Sequence, residues 1–247
     1  MLEVCIDSVE SALAAAAGGA ERLELCSALI IGGLSPTPAL YAAIRSRGVA
    51  TPVRAMVRPR FGDFLYTDAE KEVMLAETRA WRETGVDGVV TGALMPDGSL
   101  DADFLRDFIQ ASPGLGHTLH RAFDLCADPF ASLETAIGLG FDTILTSGQQ
   151  SAALKGADLL RRLREQARGR IAILVGAGVS ADVIPAIHAQ TGCTDFHLSA
   201  KTTLASEMVF RREGVPMGLP GFDEYSLWRT DADRVRAARV ALDGAVG

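Results

Sequence analysis

A short phrase carrying two chemically competent side chains occurs twice near the start of the chain, as Glu3-Val4-Cys5 and Glu24-Leu25-Cys26. Each copy alternates polar and apolar residues within a run of strand character, residues 2–6 and 22–26. Successive strand side chains point to opposite faces. With Val4, Leu23 and Leu25 turned toward helices, Glu3, Cys5, Glu24 and Cys26 share the other face. Neighbouring strands lie about 4.8 Å apart, near enough for Cys5 and Cys26 to touch one soft ion. Thiolates favour Cu(I). Two thiols do not complete a four-ligand zinc site, however. Free cysteine also packs in cores as a small hydrophobe, which is its commoner role. The residues by themselves leave metal binding, acid/base chemistry and core filling open.

The same parity places Arg54, Met56 and Arg58 on the inward face, with Thr118 and His120, and with Asp195, His197 and Ser199. Buried charges are costly unless paired. Glu3 and Glu24 are therefore expected to meet Arg54 and Arg58 across the interior. His120, Arg58, Asp124 and Glu24 form the candidate catalytic set. In that set His120 or a glutamate moves a proton, while Arg58 or Arg121 holds an anion. The turn Gly176-Ala177-Gly178 and Ser199 end two strands at positions where backbone N–H groups commonly hold a phosphate. Gly176, Gly178, Ser199 and Arg121 are thus the candidate anion-binding residues, although Gly-x-Gly is also an ordinary tight turn. Two mechanisms are disfavoured. Lys71 and Lys155 fall in helical segments and Lys201 beyond the last strand, so no lysine sits where a Schiff base forms. The first strand also holds no histidine, which excludes a first-strand His-x-His metal motif.

The elements that position these residues form one rhythm. Strands at about 2–6, 22–26, 53–58, 88–91, 117–120, 142–146, 171–175 and 195–199 alternate with helices. That alternation implies right-handed parallel βα units. Eight of them in 247 residues predict a single (β/α)8 TIM-barrel domain spanning 1–247, with function at the C-terminal ends of the strands. Gly18-Gly19 follows a helix rather than the first strand, so no nucleotide cofactor is expected. Asp7 with Glu10 and Thr67 with Glu70 read as capping boxes. Asp128-Pro129 reads as a cap with proline at the first helical position. Ser180 is expected to cap a helix to about residue 190, and 200–229 to be a long loop before the last helix.

Composition narrows the partners. A net charge of −7 argues against nucleic acid or an anionic membrane surface. No stretch resembles a secretory leader or a membrane span. The four cysteines contain no C-x-x-C and suit free thiols in a reducing cytoplasm.

Several phrases together resemble the CutC copper homeostasis family. They are EVCIDSVESA at 3–12, ERLELC at 21–26, GGLSP at 32–36, RPRFGDF at 58–64, HRAFD at 120–124, LTSGQ at 145–149 and HLS at 197–199. The likeness runs in order from Leu2 to Met217. It implies a TIM barrel, a cytoplasmic setting, a homo-oligomer, and Cys5 and Cys26 as the thiols proposed to bind Cu(I). Two departures stand out. Phe61 occupies the place of a glycine in the family's Arg-Gly-Gly-Asp-Phe, and Gly176-Ala177-Gly178 replaces a run of glycines. Cys126 and Cys193 lie outside the pattern. The copper label names a process rather than a reaction. The rival expectation is an enzyme acting by acid/base chemistry on a small phosphorylated or carboxylated metabolite, so the expected ligand is a copper ion or a small anion.

Overall fold

All five residues of the first strand, β1 (Leu2–Ile6), are buried. A strand buried on both faces fits a parallel sheet with helices outside and side chains filling the inside. A computed structural model describes residues 1–215, 217–218 and 223–247. In it β2 (Arg22–Leu25), β3 (Val53–Met56), β4 (Gly88–Thr91), β5 (Gly116–Leu119), β6 (Thr143–Thr146), β7 (Ala172–Val175) and β8 (Asp195–Leu198) follow in spatial order. β8 pairs with β1, which closes a parallel barrel of eight strands. This is the TIM-barrel fold that the alternating pattern predicts.

Helices α1 (Val9–Ala17), α2 (Pro38–Ser46), α3 (Asp68–Thr84), α4 (Ala102–Ala111), α5 (Pro129–Leu139), α6 (Ala157–Ala167), α7 (Ile184–Thr191) and α8 (Ala232–Val246) surround the barrel. The outward strand residues Val4, Leu23, Leu25, Val53, Leu119 and Phe196 pack in one core with Trp81, Leu105 and Phe108 of the helices. Burying each such side chain contributes about 1.5–3 kcal/mol. Thr67 and Glu70 form the expected capping box, and Asp128 caps α5 with Pro129 at its start.

Local chemistry departs from expectation at three places. The cap of α1 is Ser8, which accepts from the Ser11 N–H, so Asp7 is left for the barrel mouth. α7 starts at Ile184 without a side-chain cap, three residues later than a Ser180 cap implies. The stretch read as a loop contains an antiparallel hairpin, β9 (Lys201–Ala205) with β10 (Ser226–Thr230), in which Trp228 stands opposite Thr203. The hairpin stands over the C-terminal end of the barrel.

Inside the barrel, in-register partners decide which charges meet. Glu3 is level with Arg22 on one side and His197 on the other, and Cys5 is level with Glu24. Arg54 is level with Gly88, and Gly88 with Gly116. A Cβ on Gly88 would stand 2.9 Å from Arg54 Cγ, and one on Gly116 would stand 2.8 Å from its Cζ. The two glycines thus open a channel. Through it Arg54 reaches Asp142 at 2.6 and 3.0 Å and the Thr118 hydroxyl at 2.6 Å. The expected pairing of Arg54 with Glu3 or Glu24 is therefore replaced by a plug at the N-terminal end of the barrel.

Candidate functional site

Above that plug, Glu3 accepts from Arg22 Nε and is bonded to His197 Nδ1 at 2.7 Å. Arg22 stands two residues before Glu24, so the parity that turned Glu24 inward also identified Arg22. It is the site residue that the sequence reading passed over. Burial by itself pushes the Glu3 carboxyl up, but the His197 hydrogen bond and the Arg22 charge outweigh it and hold it down at about 2. Glu3 is an anion that fixes one face of His197 and leaves Nε2 to face Cys5 and Glu24.

Nε2 points to Glu24, 3.9 Å from its Oε2. Cys5 Sγ, a Glu24 oxygen and a His197 nitrogen all lie within 4.8 Å of one another. Burial pushes the Glu24 carboxyl up, the His197 charge opposes this, and the neighbouring Glu3 carboxylate adds to it. Its Oε1 is buried with no partner. Burial disfavours the His197 cation, yet Cys5 and the glutamates raise its pKa well above the usual range.

Cys26 is not equivalent to Cys5. The strand register sets Cys5 beside Glu24, so Cys26 is offset from it by two residues. Cys26 is fully buried in a small cluster with Met56 and Val90 and does not line the cavity. Its thiol donates to Glu24 Oε2 at 3.4 Å. Burial, the Glu24 carboxylate and Cys5 all push its pKa well up, which keeps it a thiol at neutral pH.

Cys5, Glu24 and His197 form the floor of a cavity of about 430 Å³ that opens at the C-terminal face. Arg58, Phe64 and His120 line one wall. Arg121, Gly178 and Ser199 also line it, as do Lys201, Trp228 and Arg229 of the hairpin. His120 accepts the Ala122 N–H at Nδ1, so a neutral ring carries its proton on Nε2, which has no partner. Burial and the Arg58 charge hold the His120 pKa down at about 3.

Two expected site residues are occupied elsewhere. The Asp124 carboxylate accepts from the Thr146 and Ser147 hydroxyls and the Ser147 and Gln149 N–H groups, and pairs with Arg121 at 2.7 Å. It staples the loop after β6 and does not line the cavity. The Gly176 N–H bonds the Thr146 carbonyl, and a Cβ there would strike Leu145 Cδ1 at 2.6 Å. Gly176 therefore serves packing, and Gly178 is the glycine at the cavity. Arg58 bonds the carbonyls of Ile31, Gly33 and Gly62 rather than either glutamate, which overturns its expected pairing.

The CutC family model matches residues 1–202. The chain belongs to the CutC family. The human copper homeostasis protein cutC homolog is 46% identical over 96% of this chain and 86% of its own length. A CutC family protein of Chromobacterium violaceum is 44% identical over 99% of both. The solved structure of a CutC from Streptococcus agalactiae superposes with a TM-score of 0.76 at 28% identity, covering 81% of this chain and 98% of that one. An aldolase structure with a TM-score of 0.60 at 15% identity shares the fold alone. The family model ends near the start of the hairpin, whereas the alignments to the relatives run over nearly the whole chain. No helix among the described residues is long and apolar enough to cross a membrane.

Proposed function

We propose that this CutC-family chain takes part in copper homeostasis by holding a metal ion on the barrel floor, with Cys5 Sγ, His197 Nε2 and the Glu24 carboxylate as ligands. The observation that carries this reading is the approach of those three donors to within 4.8 Å at the base of an open cavity. The donor set fits the ion. Thiolate and imidazole both suit copper, and a ligating histidine characteristically gives its other nitrogen to a carboxylate, as His197 does to Glu3. Glu24 Oε1, without a hydrogen bond among the described residues, would be open to a metal ion. Cys26, which the family resemblance adds to the ligand set, would have to release to solvent the thiol proton that it now donates to Glu24 before it could hold the ion. Thiol ligands require a reducing compartment, so the same reading puts the chain in the cytoplasm. A homo-oligomer, which the resemblance also implies, is checked by light scattering.

A Cu(I) competition titration on the wild type and on Cys5→Ser, His197→Gln and Cys26→Ser tests the site. Cys5→Ser and His197→Gln are expected to lose about tenfold or more in affinity, and Cys26→Ser less. A loss in Cys26→Ser equal to that in Cys5→Ser would favour the two-thiol site. Unchanged affinity in the Cys5→Ser/Cys26→Ser double variant would end the copper reading.

A further inference from the structure

The wall above the proposed metal ligands carries a cation that no carboxylate pairs with among the described residues. Arg58 is 7% exposed and, among the described residues, forms no ion pair with a carboxylate. Its three carbonyl contacts hold the loops after β2 and β3, a structural role, but its Nε makes no hydrogen bond among the described residues, with the buried Tyr66 hydroxyl its neighbour. His120 is 4% exposed, and its Nε2 is likewise without a partner. Phe64 joins the two, with its ring 5.0 Å from Arg58 Cζ and 4.8 Å from the His120 ring. A buried donor without an acceptor costs about 1–3 kcal/mol. Two of them on one cavity wall are sustained most simply by an acceptor that arrives from outside.

The mouth repeats the pattern. Lys201 lies 3.1 Å from the centre of the Trp228 ring, and neither Lys201 nor Arg229 has a carboxylate within 4.0 Å among the described residues. Opposite them, the chain turns through positive φ at Ala177 (76°) and Gly178 (68°). The N–H groups of Gly178 and Val179, which line the cavity there, have no acceptor among the described residues. Asp7 is the acidic group at the rim, near Arg229.

We infer that the cavity binds a small organic oxyanion, a carboxylate or a phosphate ester, received by Arg58 and His120 at the wall and by Lys201, Arg229 and the Gly178–Val179 amides at the mouth. The volume of about 430 Å³ falls within the range of small-molecule sites. This site is separate from the metal ligands, and its test uses metal-free protein so that the two readings fail independently.

The experiment is isothermal titration of resin-stripped wild-type protein with inorganic phosphate, glycerol 3-phosphate and malate. Saturable binding is expected with a Kd of about 1 mM or tighter for at least one probe. Preference for glycerol 3-phosphate marks a phosphate-ester site, and preference for malate a carboxylate site. Arg58→Gln is expected to weaken that probe about tenfold or more. The Lys201→Ala/Arg229→Gln pair is expected to weaken it and flatten its salt dependence. Arg106→Ala, on α4 away from the cavity, leaves it unchanged. If Arg58→Gln does not fold, the hairpin pair decides. Absence of saturable binding with all three probes, or full affinity in the variants that fold, overturns the inference.

Discussion

Replacing Glu3 with glutamine leaves the shape of the barrel interior but takes the anion from between Arg22 and His197. The three side chains are 1%, 11% and 12% exposed, so water does little to screen what remains. Removing one partner of a buried ion pair costs about 3–5 kcal/mol. Part of that is recovered, because His197 without Glu3 gives up its proton more easily, so the expected loss is about 3 kcal/mol. The Glu3 pKa supports the same size: a fall from 4.5 to about 2 corresponds to about 3 kcal/mol. In a domain of 247 residues each kcal/mol moves Tm by about 2–4 °C, so Glu3→Gln should melt about 6–12 °C lower at pH 7. The pH dependence has a definite sign. A carboxyl with a depressed folded pKa contributes stability that is present above 4.5 and lost as pH falls from 4.5 toward 2. Calorimetry of both proteins from pH 7 to pH 2.5 should therefore show the two Tm values converging through that window. A Tm within about 2 °C of wild type at pH 7, or a gap that persists undiminished in acid, would refute the role assigned to Glu3.

Three further outcomes follow from the same interior. His120 is held neutral, with its pKa at about 3 against 6.5 when unfolded, so its ring signals should stay flat in an NMR titration from about pH 8 to 4. Because the unfolded chain takes up that proton first, His120 should contribute a loss of about 1.4 kcal/mol per pH unit as pH drops below 6.5, and His120→Phe should lower the observed slope by that amount. Gly88→Ala places a methyl against Arg54 and the Gly116 carbonyl, and urea unfolding should show a loss of about 1–3 kcal/mol. Iodoacetamide followed by peptide mass analysis should modify Cys5, which borders the cavity, before Cys26, which is enclosed and has a raised pKa.

The alternation of Leu2–Ile6 and its counterparts was sufficient to read the barrel and the inward faces of most strands. Which inward residues meet was not legible, because register belongs to pairs of strands and not to either strand alone. Two matching Glu-x-Cys phrases suggest that Cys5 and Cys26 sit side by side. The parallel pairing instead sets Cys5 beside Glu24 and leaves Cys26 behind it. The Glu3–His197 contact joins residues 194 apart and exists because β8 closes against β1. Arg54 escaped its expected partners because glycines at 88 and 116 removed the side chains that would have blocked its path to Asp142. A glycine at an inward strand position is the signal that would have revealed this. The hairpin was hidden for another reason. Lys201–Ala205 is largely exposed and lacks a hydrophobic face, so its pairing with Ser226–Thr230 leaves little periodic trace.

The interior sorts its charges by depth, and the sorting distinguishes structure from function. At the N-terminal end Arg54 is matched by Asp142 and two hydroxyls. One level higher, Glu3 is matched by Arg22 and His197. Both sets of charges are paired within the protein, although Arg22 Nη2 makes no hydrogen bond among the described residues. At the level of the cavity such atoms gather: among the described residues Glu24 Oε1, Arg58 Nε and His120 Nε2 are buried without a hydrogen bond. A chain under selection for stability alone would replace such groups with apolar ones at little cost or some gain. Three such atoms gathered around one cavity mark a surface shaped by what binds there. On the floor the unmatched group is an acceptor beside a thiol and an imidazole, which suits a cation. On the wall the unmatched groups are donors beside a cation, which suits an anion. One cavity thus presents two complementary sites, and the metal and oxyanion titrations separate them.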